Sequence, residues 1–287
     1  MFDIKLGGIC VLNQVIRSEK YKEYHRLRDA GRLIQLCKKR IEEIDMGNSL
    51  QWVRSLLFNF QMYASMLVLA LIFLIPMLLS SSGALLAAKI YCRWVVWTAS
   101  WMVGLRVEIR GKVPQDAILI VAKHQSFFDI IAIFDCLSRP KFIMKRQLLF
   151  APILGQFAYR LGCIPVDRGK RAKAMKKMVS DVAAGRTRPG QLVIYPQGTR
   201  VAPGEKRPYK LGSGALYKEL GQDCIPVALN IGIFWPKRSI LRKPGTAIVE
   251  FMDPISKGKP VKEFMALMEN AIEIRSDELM TEVGFKQ

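Results

Sequence analysis

The sequence predicts an α/β domain with a mixed, largely parallel sheet flanked by helices, preceded by an N-terminal pair of membrane-associated apolar helices. Three observations predict it. Short apolar runs recur after residue 106, separated by stretches with helical patterning, and that alternation builds a sheet with crossover helices. The runs are apolar throughout, as strands covered on both faces are. Upstream, no charged residue occurs between Arg54 and Lys89, a length that exceeds the ~20 residues a bilayer-spanning helix needs.

Composition narrows the partners. The chain has 287 residues, with 44 Lys and Arg against 24 Asp and Glu, a formal charge of +20. Its mean hydropathy is nevertheless positive, at +0.15. Such a chain is neither a disordered basic tail nor an acidic soluble enzyme. Its partner should be both anionic and greasy, and an anionic phospholipid membrane meets both demands. Nucleic acid would meet the charge alone, but no aromatic-interleaved basic stripe or recognition motif accompanies it, so no nucleic-acid partner is expected. Six scattered cysteines form no C-x-x-C pair, and there are two histidines. Neither a disulfide framework nor a Cys/His zinc site is expected, and a reducing cytosolic setting fits.

Residues 1–45 read as a polar leader with a weak helical pattern over 32–44. Met46 opens a segment that resembles a protein start, so the leader reads equally as a mis-called start or a partly ordered extension. Residues 46–105 read as membrane-embedded or spanning helices. Met62–Leu79 is the apolar core; Pro76 and the run Ser80-Ser81-Ser82-Gly83 break it, and a second helix follows from Ala84. Trp94, Trp97 and Trp101 recur at spacings of three and four, so they share one face. Tryptophan prefers the headgroup level of a bilayer, and Lys89 and Arg93 suit anionic headgroups. The break and the aromatic stripe favour partial embedding over full spanning; packing of both helices on the domain core is the weaker reading for a charge-free stretch of this length. Basic flanks place the main domain on the cytoplasmic side.

Residues 106–287 read as the α/β domain. Ala117–Ala122, Gln191–Tyr195, Ile225–Leu229 and Ala247–Phe251 are the expected strands; Arg171–Ala184, Gly212–Leu220 and Val261–Leu279 are the expected helices. His124 is the domain's one histidine, in Lys123-His-Gln-Ser-Phe-Phe-Asp129. On one continuous helix, residues five apart lie about 140° from each other and do not meet. At a strand-to-helix turn they can, with Ser126 as N-cap and Asp129 three positions later, as in a capping box. A carboxylate on one imidazole nitrogen fixes the tautomer that lets the other accept a hydroxyl proton. The same residues also read as a plain helix cap beside a satisfied histidine. No Ser or Cys nucleophile sits in a G-x-S-x-G elbow, so an attacking hydroxyl would be the substrate's.

A second cluster is Gln191-Leu-Val-Ile-Tyr-Pro-Gln-Gly-Thr-Arg200. Gly198 lets the backbone turn tightly, and Arg200 presents a fork suited to phosphate or carboxylate. Lys206, Arg207 and Lys210 follow, and the stretch reads alternatively as a solvated basic loop. Lys145 and Arg168 sit at the ends of apolar runs. They either snorkel to water or add positive charge at the sheet edge where open α/β folds bind ligands. One histidine and no clustered carboxylates in the domain leave no expected metal site.

Together these segments resemble the glycerolipid acyltransferase family, and within it bacterial 1-acyl-sn-glycerol-3-phosphate (lysophosphatidic acid) acyltransferases. Four blocks match in order over roughly residues 105–230: Lys123-His-Gln-Ser-x-x-Asp129, Lys145…Pro152-x-x-Gly155 to Asp167-Arg168, Tyr195-Pro-Gln-Gly-Thr-Arg200, and Ile225-Pro-Val-Ala228. The resemblance implies that His124 is the general base and Asp129 its orienting partner. It implies that Gly198, Thr199 and Arg200 bind the acceptor's phosphate, helped by Lys145 and Arg168, and that Ile225-Pro-Val lines the neighbourhood of the acyl donor or shapes the site. The implied reaction moves a fatty acyl group from acyl carrier protein or coenzyme A to lysophosphatidic acid, giving phosphatidic acid for phospholipid biosynthesis. It takes place at the inner membrane, and no cofactor is required. Two positions depart from the family: Gln197 and Gln147 stand where Glu is usual. The first leaves open another lyso-lipid acceptor, such as a lyso-ornithine lipid. A non-catalytic membrane lipid-binding protein is the reading from a different class.

Overall fold

The computed structural model describes residues 46–166 and 190–286. The leader 1–45, the expected helix over 171–184 and Arg168 lie outside the described residues. Two long helices come first, α1 (Met46–Ile72) and, beyond the one-turn α2 (Leu74–Leu79), α3 (Ser81–Met102). The domain continues as β1 (Leu105–Gly111), β2 (Leu119–Ala122), α4 (Phe128–Cys136), β3 (Pro140–Lys145), α5 (Leu154–Arg160) and β4 (Ile164–Val166). After residue 190 come β5 (Gln191–Ile194), α6 (Gly212–Leu220), β6 (Cys224–Leu229), β7 (Gly245–Phe251) and α7 (Val261–Glu282).

Among the described residues seven strands form one sheet in the order β1-β7-β6-β2-β5-β3-β4. Only the β6–β7 pair is antiparallel, so the sheet is mixed and mostly parallel, as expected. The apolar runs explain this. Along β2, Ile120 and Ala122 join a core with α3 and α4, while Leu119 and Val121 join a second core with α6 and α7. A strand whose side chains alternate between two buried faces must be apolar at every position. Pro226 stands inside β6, where its missing N–H falls just beyond the end of the β7 ladder at Phe251, the place in a central strand that tolerates it.

Four expected strands and two expected helices match β2, β5, β6, β7, α6 and α7. Strands β1, β3 and β4 carry weaker signals. Edge strand β1 has charged residues and an irregular burial pattern, and β4 has three residues with a proline in the middle.

Among the described residues one helix, over Ser49–Ile72, is long and apolar enough to cross a membrane. The expectation of an apolar pair therefore holds only in part, because α3 carries Lys89 and Arg93. The break between the helices is shorter than the sequence implies, because Ser81, Ser82 and Gly83 form the first turn of α3 and Pro76 lies inside α2. Ser80 caps α3 by accepting from Gly83 N at 2.9 Å. Gly83 packs so closely on the turn before it that an added Cβ would lie 2.2 Å from the Pro76 carbonyl oxygen.

From Gln51 to Met62 α1 is docked on the domain. Ser55, Phe58 and Met62 are fully buried, and the Phe58 ring meets Trp235 edge-on at 5.6 Å. Arg242 donates to Asn59 at 2.8 Å, and Gln51 donates to the Arg242 carbonyl at 2.7 Å. Beyond Met62 the outward face of α1 and α2 is apolar and exposed, through Leu67, Val68, Leu71, Ile72, Ile75 and Leu79. Trp94, Trp97 and Trp101 are also exposed along α3, in mutual contact at 5.2 and 5.7 Å.

Lys89 departs from its expected role at the headgroups. Its ammonium turns inward and donates to the carbonyls of Phe134, Asp135 and Leu137. The end of α4 exposes orphan carbonyls and negative dipole there, which a half-buried lysine head satisfies. Arg93 remains mostly exposed, 3.5 Å from Asp135.

Candidate active site

β2, β3, β5 and β6 run parallel, so the segments leaving their C-terminal ends share one edge of the sheet. The turn from β2 into α4 carries His124. Its Nδ1 lies 3.0 Å from Asp129 Oδ2, and the same oxygen accepts from Gln125 N at 2.6 Å and Ser126 N at 2.8 Å. The turn differs from the expected capping box by one residue. Helix α4 begins at Phe128 with Phe127 at the cap position, and the Ser126 hydroxyl accepts from Phe128 N at 3.2 Å. The acid's half of the box is kept, reaching back to the backbone N–H groups that open the helix.

Those contacts define what the imidazole can do. A carboxylate only accepts, so the proton lies on Nδ1 and Nε2 is left as a base. Asp129 is fully buried, whereas the His124 side chain keeps 14% of its surface. The ring is also stacked on Tyr195, with centroids 4.0 Å apart and planes 18° from parallel. The Tyr195 hydroxyl and Asp129 Oδ1 are buried without a hydrogen-bond partner. Burial, with the Asp129 charge nearby, pushes the Tyr195 phenol well above its ordinary pKa.

Tyr195 also opens the second segment, which leaves β5 beside β2. Gly198 takes a left-handed φ of 68°, and its N–H donates to the Tyr195 carbonyl at 2.9 Å. The missing side chain leaves room for Lys210, whose ammonium would lie 2.7 Å from a Cβ at 198. Val201 N donates to the His124 carbonyl at 2.7 Å, stitching this loop to the histidine turn. Thr199 and Arg200 are half-buried beyond the turn. The Arg200 carbonyl accepts from Lys237 at 3.2 Å, which adds a cation from another loop.

Lys145 is exposed at the C-terminal end of β3, two strands from β2 and so about 10 Å along the same edge at ~4.8 Å per strand. The edge thus gathers His124, Asp129, Gly198, Thr199, Arg200 and Lys145, with Lys210 and Lys237 beside them. Arg207 is instead drawn to Glu205 at 2.7 Å. Ile225-Pro-Val-Ala228 lies wholly buried in the middle of the sheet as part of β6, so it supports the site from beneath.

Residues 104–230 match the family model described as Acyltransferase. The chain carries an acyltransferase-family domain. That span runs from β1 to the end of β6 and includes both segments at the sheet edge. The chain is 29% identical over 206 residues to the 1-acyl-sn-glycerol-3-phosphate acyltransferase of Pseudomonas aeruginosa, covering 69% of this chain and 79% of that protein. It is 28% identical over 170 residues to the mouse 1-acyl-sn-glycerol-3-phosphate acyltransferase alpha, spanning 60% of that protein's length. The solved 1-acyl-sn-glycerophosphate (LPA) acyltransferase PlsC of Thermotoga maritima shares the fold, with a TM-score of 0.70 and 17% identity over 84% of this chain and all of that one.

Sequence reasoning about the acyltransferase domain missed Tyr195, Lys123, Tyr209 and Glu273. Tyr195 and Lys123 open the two motifs without a role assigned to them, and their aromatic and cationic character was a usable signal. Glu273 lies on α7, 150 residues from Lys123, to which it is bonded at 2.6 Å. Nothing in the helix's pattern sets it apart from its other acids.

Proposed function

We propose that the protein transfers a fatty acyl group from an acyl thioester to the sn-2 hydroxyl of 1-acyl-sn-glycerol 3-phosphate, giving phosphatidic acid. The observation that carries this reading is the His124–Asp129 contact of 3.0 Å, which leaves Nε2 as a base at the sheet edge where cations gather. The names of the relatives from Pseudomonas aeruginosa and mouse support the acceptor.

His124 removes the hydroxyl proton as the oxygen attacks the thioester carbonyl. Asp129, fixed by two backbone N–H groups, holds the tautomer and balances the imidazolium that forms. Arg200, with Lys210 and Lys145, holds the remote phosphate, so that binding energy orients the reacting hydroxyl. Arg168 joins that set by resemblance. The thiol leaves with the proton from the imidazolium, and the enzyme carries no acyl group between steps. The donor is acyl carrier protein or coenzyme A thioester; both are acidic and suit a surface of +20 net charge. Nothing in this scheme calls for a metal or cofactor.

The exposed apolar face of α1, α2 and the tryptophans rests in the inner membrane, with the acyltransferase domain on its cytoplasmic side. The lipid acceptor then arrives by lateral movement within the leaflet. The domains we assign are the leader 1–45, the membrane helices 46–105 and the acyltransferase domain 106–287.

The test is His124→Ala, purified in detergent and assayed with lysophosphatidate and acyl-coenzyme A. Loss of a general base is expected to lower kcat by about 10²–10⁴-fold with acceptor binding retained. Activity within a few-fold of the wild type would remove His124 from the mechanism.

A further inference from the structure

Behind the His124 turn, one carboxylate on α7 gathers a buried polar network. Glu273 Oε2 accepts from Lys123 Nζ at 2.6 Å, and its Oε1 accepts from Tyr209 at 2.8 Å and from Gln197 Nε2 at 3.4 Å. Lys123 keeps 1% of its surface, Gln197 2% and Tyr209 8%. Each of the three precedes a residue of the site: Lys123 precedes His124, Gln197 precedes Gly198, and Tyr209 precedes Lys210, whose ammonium rests on Gly198. Glu273 therefore ties the histidine turn and both ends of the basic loop to one point on a helix packed across the sheet.

The charges in this network are constrained. A buried ammonium without its carboxylate is strongly destabilising. A second carboxylate at 197 would stand within hydrogen-bond range of the first, and two like charges so close disfavour each other. Gln197 Oε1 is already buried without a partner, so the side chain fits the space but does not complete its bonding. Glu269, one turn earlier on α7, already brings a second carboxylate near Glu273 and Tyr209, and burial with the Glu273 charge raises its pKa, so a further anion at 197 adds repulsion.

We propose that Glu273 is a positioning residue that sets the register between the His124 turn and the Gly198–Arg200 loop, and that the network requires one negative charge opposite Lys123, at position 273 or 197. This rests on the acyl-transfer reading above. Glu273 touches no substrate; it acts through Lys123, Gln197 and Tyr209.

The experiment compares Glu273→Gln, Gln197→Glu and the double variant, measuring kcat, the KM for lysophosphatidate with acyl-coenzyme A, and Tm. Each single variant is expected to lower kcat/KM at least tenfold, chiefly through the acceptor KM, because the phosphate-holding loop loses its register. The double variant restores one anion against one cation and is expected to return to within threefold of the wild type. A double variant no better than the worse single, or Glu273→Gln within twofold of the wild type, would overturn the proposal. Should Glu273→Gln not fold alone, Tyr209→Phe decides: it removes one hydrogen bond and no charge. A two- to fivefold rise in acceptor KM at constant kcat supports the proposal, and an unchanged KM overturns it. If the wild type acylates no lyso-lipid, the functional reading fails and the network is judged by Tm. Recovery in the double variant supports the charge rule, and an additive loss overturns it.

Discussion

Lys123 and His124 are neighbours in one turn, yet their acidic partners lie at opposite ends of the sequence-distance scale. His124 meets Asp129 five residues away, whereas Lys123 meets Glu273 across 150. The first contact is made by the turn itself, because the acid that orients the imidazole also satisfies the N–H groups that open α4. The second needs the whole sheet to be assembled, since α7 reaches the turn only by packing on β6 and its neighbours. The His124 ring is thus held by a short local device, and the loop around it by a distant one. The two should fail differently.

The largest expected effect comes from breaking the local side. Asp129→Ala leaves Gln125 N, Ser126 N and the imidazole without their shared acceptor. We expect kcat to fall about 10³-fold, within the range for general acid–base groups, together with a lower Tm. A kcat within tenfold of the wild type would mean that the Tyr195 stack alone orients the ring. Breaking the long-range side acts first on stability. Lys123→Met leaves Glu273, whose side chain keeps 17% of its surface, beside Tyr209 and Gln197 without a cation, and breaking such a pair costs about 3 kcal/mol in urea denaturation. A loss under about 1 kcal/mol would show that the two neutral donors suffice, a net hydrogen-bond scale. Arg200→Ala touches neither device and should sharpen the contrast by changing binding alone. A charge-assisted bond of roughly 1.5–3 kcal/mol corresponds to a 10–100-fold rise in acceptor KM at nearly constant kcat. If kcat fell instead, Arg200 would act on the reacting centre.

The two long N-terminal helices repeat the lesson at larger scale. The charge-free stretch and the shared face of Trp94, Trp97 and Trp101 were legible, because each depends on composition and a 3.6-residue period. The orientation of Lys89 was not. A lysine beside an apolar run reads as a headgroup contact, but the end of α4 offers three carbonyls that only the packed structure brings within reach. The docking of Ser55, Phe58 and Met62 was likewise hidden, since nothing in α1 announces which face meets the loop around Arg242.

Gln197 shows the same division inside the site. In the sequence it stands as a missing carboxylate beside a phosphate loop and raises a question about the acceptor. In the fold its side chain is buried against Glu273, so the substitution bears on how the loop is anchored.

The strands β2, β5, β6 and β7 and the His124–Asp129 turn follow from the sequence, because continuous apolar runs and a strand-to-helix turn are local properties. Tertiary packing alone chose the strand order, the inward turn of Lys89 and the pairing of Lys123 with Glu273. Those depend on which elements end side by side, and an ionic partner for a buried cation is selected by proximity in space, which spacing along the chain does not encode.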